Sequence, residues 1–368
     1  MNRTLKLFFL FITALCLVQP LSAQLKLVDS LSQEPVAAAN IFSSEGVLLA
    51  VSDAEGKVNP EALRKTNTDS VTLQHVAYQN KKLSDSAFRS SAVIYMVPRT
   101  VEIGEVQVFD KSKYDYLVLK GYFRKQDLWN NKTRYFYDGL LTYYIPLHKK
   151  GKLRRELHAY RLFANKESMD EFSEMMGWLT DPPSLIGLRD PYSVLQDLPK
   201  GFMLHKEGDK LRIQKEGLNM GYVQHVKTGD VQVYLDKVPP QTVLSRRLFR
   251  LRGEVYRALA VEHYADTELE KPAVENLISK TGSYIGALQR KKEYGYVPFE
   301  NFIEFYVMER DYLTEAELKE RKDKLTKDIF LEEKSDYKEK FWQDLDRYGI
   351  PALPEGIAKQ LGQELVEY

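Results

Sequence analysis

Glu262, His263 and Asp266 place an imidazole between two carboxylates within five residues, so they are the side chains of this chain best suited to proton chemistry. Such a trio can accept and return a proton near neutral pH, which makes it the first candidate for general acid–base work. The competing reading is a chance cluster at the end of a strand. No further catalytic pattern supports a reaction: Gly-x-Ser-x-Gly, His-Glu-x-x-His and phosphate-loop spacings are all missing, and Cys16 is the only cysteine. None of His75, His148, His158, His205, His225 and His263 is followed three residues later by a glutamate, the spacing that lets both side chains reach one zinc ion. No catalytic residue, cofactor site or metal site is therefore assigned, and a non-enzymatic protein is expected.

The elements that would position any site begin with an export signal. Arg3 and Lys6 precede an unbroken apolar run from Leu7 to Val18, which ends at Pro20 and the small residues Ser22 and Ala23. Positive start, apolar middle and small-residue exit are what a signal peptidase reads. The run is shorter than the roughly 20 apolar residues a membrane helix needs, so cleavage between Ala23 and Gln24 is predicted, with no transmembrane segment in the mature chain. Cys16 follows Leu15 and precedes Leu17 and Val18, which does not fit a lipid-acylated cysteine. Without Arg3 and Lys6 the formal net charge moves from +1 to −1. Such a balance gives no electrostatic reason to expect nucleic acid. The basic run Arg246 to Arg252 is accordingly read as a solvated strand face.

Residues 24–109 carry short apolar runs split by turn residues: Val47 to Val51, Val71 with Leu73, Val93 to Val97, and Val106 with Val108. Gly56 offers the positive φ that the tight turn after Ser52-Asp53-Ala54-Glu55 requires. Strands this short and this regularly punctuated suggest a sandwich. The order Leu27-Val28-Asp29, Glu34-Pro35-Val36, Ala39-Asn40-Ile41, Ser52 to Val58, Asp69-Ser70-Val71, Tyr78, and Ile94 to Pro98 resembles the carboxypeptidase-regulatory-like domain. Ile103-Gly104-Glu105-Val106-Gln107-Val108 closes the matching stretch, which covers about a quarter of the chain. The resemblance implies a transthyretin-like seven-stranded sandwich, of a kind abundant in exported proteins of the Bacteroidota cell envelope. It departs from the family's pattern ahead of the first strand, at Leu25 and Lys26, and at Ala77-Tyr78, where the family has glycine. In that setting Asp29-Ser30-Leu31, Asp69-Ser70-Val71 and Asp85-Ser86-Ala87 resemble O-glycosylation acceptors, which makes Ser30, Ser70 and Ser86 candidate modification sites; plain turn serines explain the same residues.

Residues 110–368 read as a larger α+β domain. Tyr135 to Ile145 and Leu153 to Phe163 are two long strands joined by the polar tip His148 to Lys152. Glu207-Gly208-Asp209 and Thr228-Gly229-Asp230 mark further hairpins of an antiparallel meander. A helical insertion near 167–198 begins with Met169, Phe172, Met175 and Met176 at helical spacing; the methionines suit either a soft ligand pocket or packing on the sheet. In a helical tail over 313–368, Thr314 and Glu317 form a capping box. Tyr337, Phe341, Leu345 and Tyr348 predict a second helix there, and Ile357, Leu361 and Leu365 a short third one.

The expected fold class is mostly β with α: an N-terminal transthyretin-like β-sandwich followed by a larger antiparallel-sheet domain with packed helices. The expected function is a non-enzymatic exported envelope protein, a binding or interaction module in which the small sandwich docks and the larger domain binds an envelope partner or an apolar ligand. One alternative is a periplasmic carrier of a lipid or other apolar ligand, and another is a hydrolase using dispersed carboxylates.

Overall fold

The computed structural model describes residues 25–53, 55–58, 68–75, 77–99, 111–148, 151–177, 181–185, 187–188, 191–226, 230–239, 242–248, 250–290 and 295–368. The leader, its cleavage point at Ala23 and Gln24, and the strand expected at Val106–Val108 lie outside the described residues. The molecule is mostly β, as its runs of alternating and β-branched residues require.

Two small sheets form the N-terminal unit. Strands β1 (Lys26–Asp29) and β6 (Val93–Met96) pair in parallel. Strands β2 (Asn40–Ser43), β3 (Leu48–Val51), β4 (Ser70–His75) and β5 (Tyr78–Ser84) pair antiparallel in the order β3-β2-β4-β5. Leu27, Ile41, Val71, Leu73, Ile94 and Met96 are buried in one core between them, with Phe88 of helix α1 (Asp85–Ser90). Gly56 has φ +74°, and a Cβ there would lie 2.4 Å from the Leu27 carbonyl oxygen, so the turn needs the glycine that the sequence supplies.

The remaining strands build one 12-stranded antiparallel sheet. They are β7 (Tyr116–Trp129), β8 (Lys132–Pro146), β9 (Arg154–Ala164), β10 (Phe202–Glu207), β11 (Lys210–Lys215) and β12 (Leu218–His225). They continue with β13 (Val231–Asp236), β14 (Leu244–Leu248), β15 (Leu251–Tyr264), β16 (Leu277–Gln289), β17 (Val297–Leu313) and β18 (Val366–Glu367). Their order is β10-β11-β12-β13-β15-β16-β17-β7-β8-β9-β18, with β14 folded onto β15. The β8–β9 and β10–β11 hairpins form where the sequence places them.

Strand alternation gives this sheet two unlike faces. One is apolar, with Leu119, Phe123, Tyr137, Leu141, Val233 and Phe305 in the main core. The other carries buried charge. There Arg124 pairs with Glu304, and Arg161 makes two hydrogen bonds to Asp138, at 2.9 and 2.5 Å.

The N-terminal unit sits on the charged face. Phe42 meets Phe302 edge-on at 5.6 Å, and Leu48 and Val51 share a cluster with Leu259 and Val261. His75 and His263 lie with ring centroids 5.1 Å apart, and the Gln232 side-chain amide lies 3.2 and 3.3 Å from their Nε2 atoms. The C-terminal segment covers a further part of that face, with Phe341, Leu345, Tyr348 and Ile350 against Tyr122 and Tyr306 and with Leu353 and Ile357 against Phe136.

The helical regions differ from expectation. Helix α2 (Lys166–Met176) forms, capped by Asn165 and ended by Gly177 at φ +66°, and packs Phe172 on Trp129. Among the described residues the rest of the 167–198 insertion carries no further α-helix, only one short 3-10 turn at Val194–Asp197. Helix α3 (Glu315–Glu320) carries the predicted capping box, but is only six residues long. The helix expected from Ser335 does not form. Residues 335–344 are irregular, followed by a 3-10 turn at Leu345–Tyr348. Its aromatic residues serve the charged face instead: Trp342 lies flat against the Arg161 guanidinium at 3.8 Å, and Phe341 packs near Tyr122. Helix α4 (Glu355–Gln360) replaces the third helix, and Leu365 precedes the edge strand β18.

The interface histidines give stability a defined pH dependence. Burial pulls His75 down to about 4, and burial with the neighbouring His75 holds His263 well below its ordinary value. His75 Nδ1 accepts the Ala77 N–H at 3.1 Å, which requires a neutral ring. Both rings take up a proton on unfolding below about pH 6.5, so stability falls as pH drops from 6.5 towards 4. Glu300 acts with the opposite sign. Burial raises it to about 8, so unfolding releases its proton between about 4.5 and 8 and stability falls as pH rises through that window. Urea unfolding across pH is therefore expected to show a maximum near 6.5 from these groups. Replacing both histidines with Gln flattens the acid side, and Glu300→Gln flattens the alkaline side.

Candidate functional site

The described part of residues 181–198 forms a strap across the apolar face. At one end the Ser184 carbonyl accepts the Tyr137 hydroxyl at 2.9 Å, and Leu185 N–H donates to the Ile329 carbonyl at 2.6 Å. At the other end Glu262, fully buried, accepts the Ser193 hydroxyl at 2.7 Å, the Val194 N–H at 2.9 Å and the Tyr264 hydroxyl at 3.1 Å. Lys280 completes that anchor, 3.0 Å from Glu262 and donating to the Tyr192 carbonyl at 2.7 Å. Tyr137 and Glu262 stand four strands apart, roughly 19 Å at the usual strand spacing. Nine residues of extended chain span roughly 30 Å, so the strap reaches with slack.

That slack leaves a cavity of about 660 Å³ beneath the strap. Its floor is made by small side chains on neighbouring strands, Ala258 and Ala260 of β15 and Gly282 of β16, with Ile303 beside them. A Cβ on Gly282 would meet only Ile303 Cγ2, at 3.1 Å, and the Leu259 carbonyl at 3.9 Å. The backbone there does not demand glycine. Small size is what keeps the floor low. Leu188 and Val194 close the strap side, and Tyr284 and Lys237 stand at the exposed rim.

The charges in the lining are almost all compensated. Lys125 lies 3.6 Å from Asp127 and 5.5 Å from the Tyr137 ring, and Lys280 is held by Glu262. Asp181 pairs with Arg134 at 2.5 Å. Burial raises the Asp127 carboxyl, and Lys125 opposes that shift. Among the lining residues only Lys237 carries a charge with no partner among the described residues. A ligand of matching chemistry has an apolar body and one anionic group.

Glu262, His263 and Asp266 are not brought together. Consecutive residues of β15 point to opposite faces, so Glu262 anchors the strap while His263 packs against His75 beneath the N-terminal unit. Asp266 lies beyond the strand, with φ +35°. Met175 and Met176 of α2 share a cluster with Trp129, Leu251 and Phe299, Met169 packs on the main core, and none of the three lines the cavity. Of the candidate serines, Ser86 is exposed in the first turn of α1, whereas Ser30 and Ser70 are half-buried. Among the described residues no three His, Cys, Asp or Glu side chains could together hold a metal ion, and no helix is long and apolar enough to cross a membrane. The cavity residues carried no sequence signal except Gly282 inside a strand pattern, which marks a close approach or a vacant position.

Glu262 is the strap's anchor, and its removal exposes that role. Glu262→Ala leaves the half-buried Lys280 without its carboxylate and the Ser193 hydroxyl and Val194 N–H without their acceptor, at a cost of about 1–3 kcal/mol. Amide exchange of residues 191–198 is expected to accelerate well beyond that of β7 and β8 in the same variant. Equal acceleration everywhere would show that the strap is held by other contacts. No protein-family model matches the chain, and no curated protein matches it.

Proposed function

We propose that this chain is an exported envelope protein that binds one medium-sized amphipathic anion, such as a single-chain carboxylate, beneath the strap. The observation that carries this reading is the cavity of about 660 Å³, floored by Ala258, Ala260 and Gly282, with Lys237, which has no partner among the described residues, at its rim. Its volume falls within the roughly 300–1,000 Å³ of ligand sites, and most of its exposed lining surface is apolar although polar and charged side chains contribute to it. Export is supported by the leader pattern of residues 1–23. A carboxypeptidase-regulatory-like identity for the N-terminal unit is supported by its six described strands in two sheets. Native mass spectrometry of protein from envelope fractions is expected to show a bound acidic lipid that Ala260→Leu displaces. Lys237→Glu weakens binding of added fatty acid by about tenfold. A chain that takes up no amphipathic anion, or whose affinity is untouched by Ala260→Leu, overturns the reading. The same spectra report any glycan mass on Ser86.

A second reading, docking of a partner protein, is favoured by one surface. Val93, Tyr95 and Val97 are each more than two-fifths exposed in a row along β6, and Leu31 is 74% exposed. An apolar row of this kind on a small β unit suits a protein contact. Changing Val93 and Tyr95 to Lys is expected to abolish crosslinking to a single envelope partner while leaving ligand uptake intact; crosslinking that survives the change removes this surface from consideration.

A further inference from the structure

A second cavity, of about 500 Å³, opens on the charged face over β7, β8, β9 and β17. Thr142 and His158 line it, with Val118, Tyr144, Leu313 and Arg321. Thr142 of β8 faces Lys120 across one strand pair and Glu156 across the other. The register then slips: Leu141 pairs with Leu157 and Leu140 with Ala159, so His158 is the extra residue of a β-bulge. Bulges re-aim side chains. This one directs the imidazole at the hydroxyl opposite.

The result is a chain of three groups. Thr142 Oγ1 lies 2.7 Å from His158 Nε2, and His158 Nδ1 lies 3.5 Å from Glu156 Oε1. Glu156 is held by the Tyr144 hydroxyl at 2.5 Å, with Arg321 3.9 Å away. A proton on Nδ1 faces the carboxylate, which leaves Nε2 to accept from the threonine. Burial lowers the imidazole below its ordinary value against the pull of Glu156, and the cations Lys120, Arg321 and Lys324 lower it further. The ring is therefore neutral at pH 7 and able to act as a base. Hydroxyl, imidazole and orienting carboxylate in this sequence are the parts of an activated nucleophile.

We propose that this cavity is a hydrolytic site for a small carboxylic ester, with Thr142 as nucleophile, His158 as general base and acid, and Glu156 as positioning residue. Thr142 Oγ1 forms a bond to the ester carbonyl carbon while its proton passes to His158 Nε2. The bond to the alcohol oxygen breaks, and His158 returns the proton to that oxygen. Water then attacks the acyl-threonine, giving one proton to His158, which restores the Thr142 hydroxyl as the acid leaves. Ester and water become acid and alcohol. Lys120 faces Thr142 across the strand pair, with its Nζ 2.9 Å from Glu309 Oε1, so it reaches the developing oxyanion only by leaving that carboxylate.

The plain alternative is a set of hydrogen bonds that merely satisfies a half-buried polar patch. The full chain would be assayed with p-nitrophenyl acetate and butyrate, and treated with a fluorophosphonate probe followed by peptide mass spectrometry. Saturable hydrolysis is expected, rising with pH through an ionisation below 6.5 that belongs to His158; Glu156, Glu309, Arg310, Asp311, Lys120, Lys324 and Arg321 are the charges around it. Thr142→Ala and His158→Gln should each lower kcat/KM by about 100-fold or more with unchanged thermal midpoints, while Thr142→Ser retains turnover and takes the probe at residue 142. Glu156→Gln should lower kcat and displace the pH profile, and Glu156→Asp should recover part of the loss. Hydrolysis no faster than that of Thr142→Ala, or a probe adduct anywhere but residue 142, overturns the proposal. A Thr142→Ala variant that fails to fold leaves Thr142→Ser and the adduct position to decide.

Discussion

Three separate parts of the chain meet on one buried guanidinium. Arg124 pairs through Nε with Glu304 of the neighbouring strand, donates to the Pro351 carbonyl of the C-terminal segment at 2.9 Å, and donates to Gln74 of the N-terminal unit at 3.1 Å. A charge this deeply buried is tolerated only when its donors are used, and losing one partner costs about 3–5 kcal/mol. The charged face of the sheet therefore cannot stand uncovered by protein or water. Its buried pairs need the tail and the small β unit in place, and Arg161, which holds Asp138 beneath Trp342, repeats the requirement two strands away. Backbone contact finishes the clamp: a Cβ on Gly356 would lie 2.1 Å from the Gly46 nitrogen, so α4 and the β2–β3 turn meet where only glycine fits.

The opposite face is built on another constraint. Its core is apolar and mostly filled, and the strap crosses it fastened at Tyr137 and Glu262. Between those fastenings Ala258, Ala260 and Gly282 supply too little volume to meet the strap, and the cavity is what remains. Two larger side chains at these positions would fill much of it, and hydrophobic burial favours filling a void of this kind. The fold thus forgoes stability where this floor stays low, which is the usual signature of a binding position.

Much of this architecture is legible in the chain, and the failures have physical causes. The β8–β9 hairpin could be read because aromatic runs flank a glycine-bearing polar tip, and α3 because Thr314 and Glu317 are spaced for mutual capping. Strand β7 escaped notice because nearly all of its side chains are buried on both faces, including Arg124, Lys125, Gln126 and Asp127, so no polar and apolar alternation marks it. The helix expected from Tyr337, Phe341, Leu345 and Tyr348 gave way to tertiary demand: helical spacing alone did not outweigh Arg161's need for an aromatic cover. Among site residues, the sequence offers Glu262 and His263 as one proton-handling group, and the structure separates them, since adjacent strand residues belong to different faces.

That alternation also explains why neither cavity carries a linear motif. The floor of the strap cavity is shared by β15, β16 and β17, and register alone brings Ala260 beside Gly282 and Gly282 beside Ile303. On the charged face Glu156 and His158 are two apart in sequence, the spacing that keeps both on one side of a strand, but the hydroxyl they address lies on the preceding strand. A pattern search along the chain sees only Glu-x-His, a pair too short to mean anything. Thr142 enters through a cross-strand register that a one-residue bulge shifts into line, and that bulge is a property of the paired sheet rather than of either strand. In a sheet of this size chemistry is written across the strands, and a sequence, read along them, gives the faces before it gives the sites.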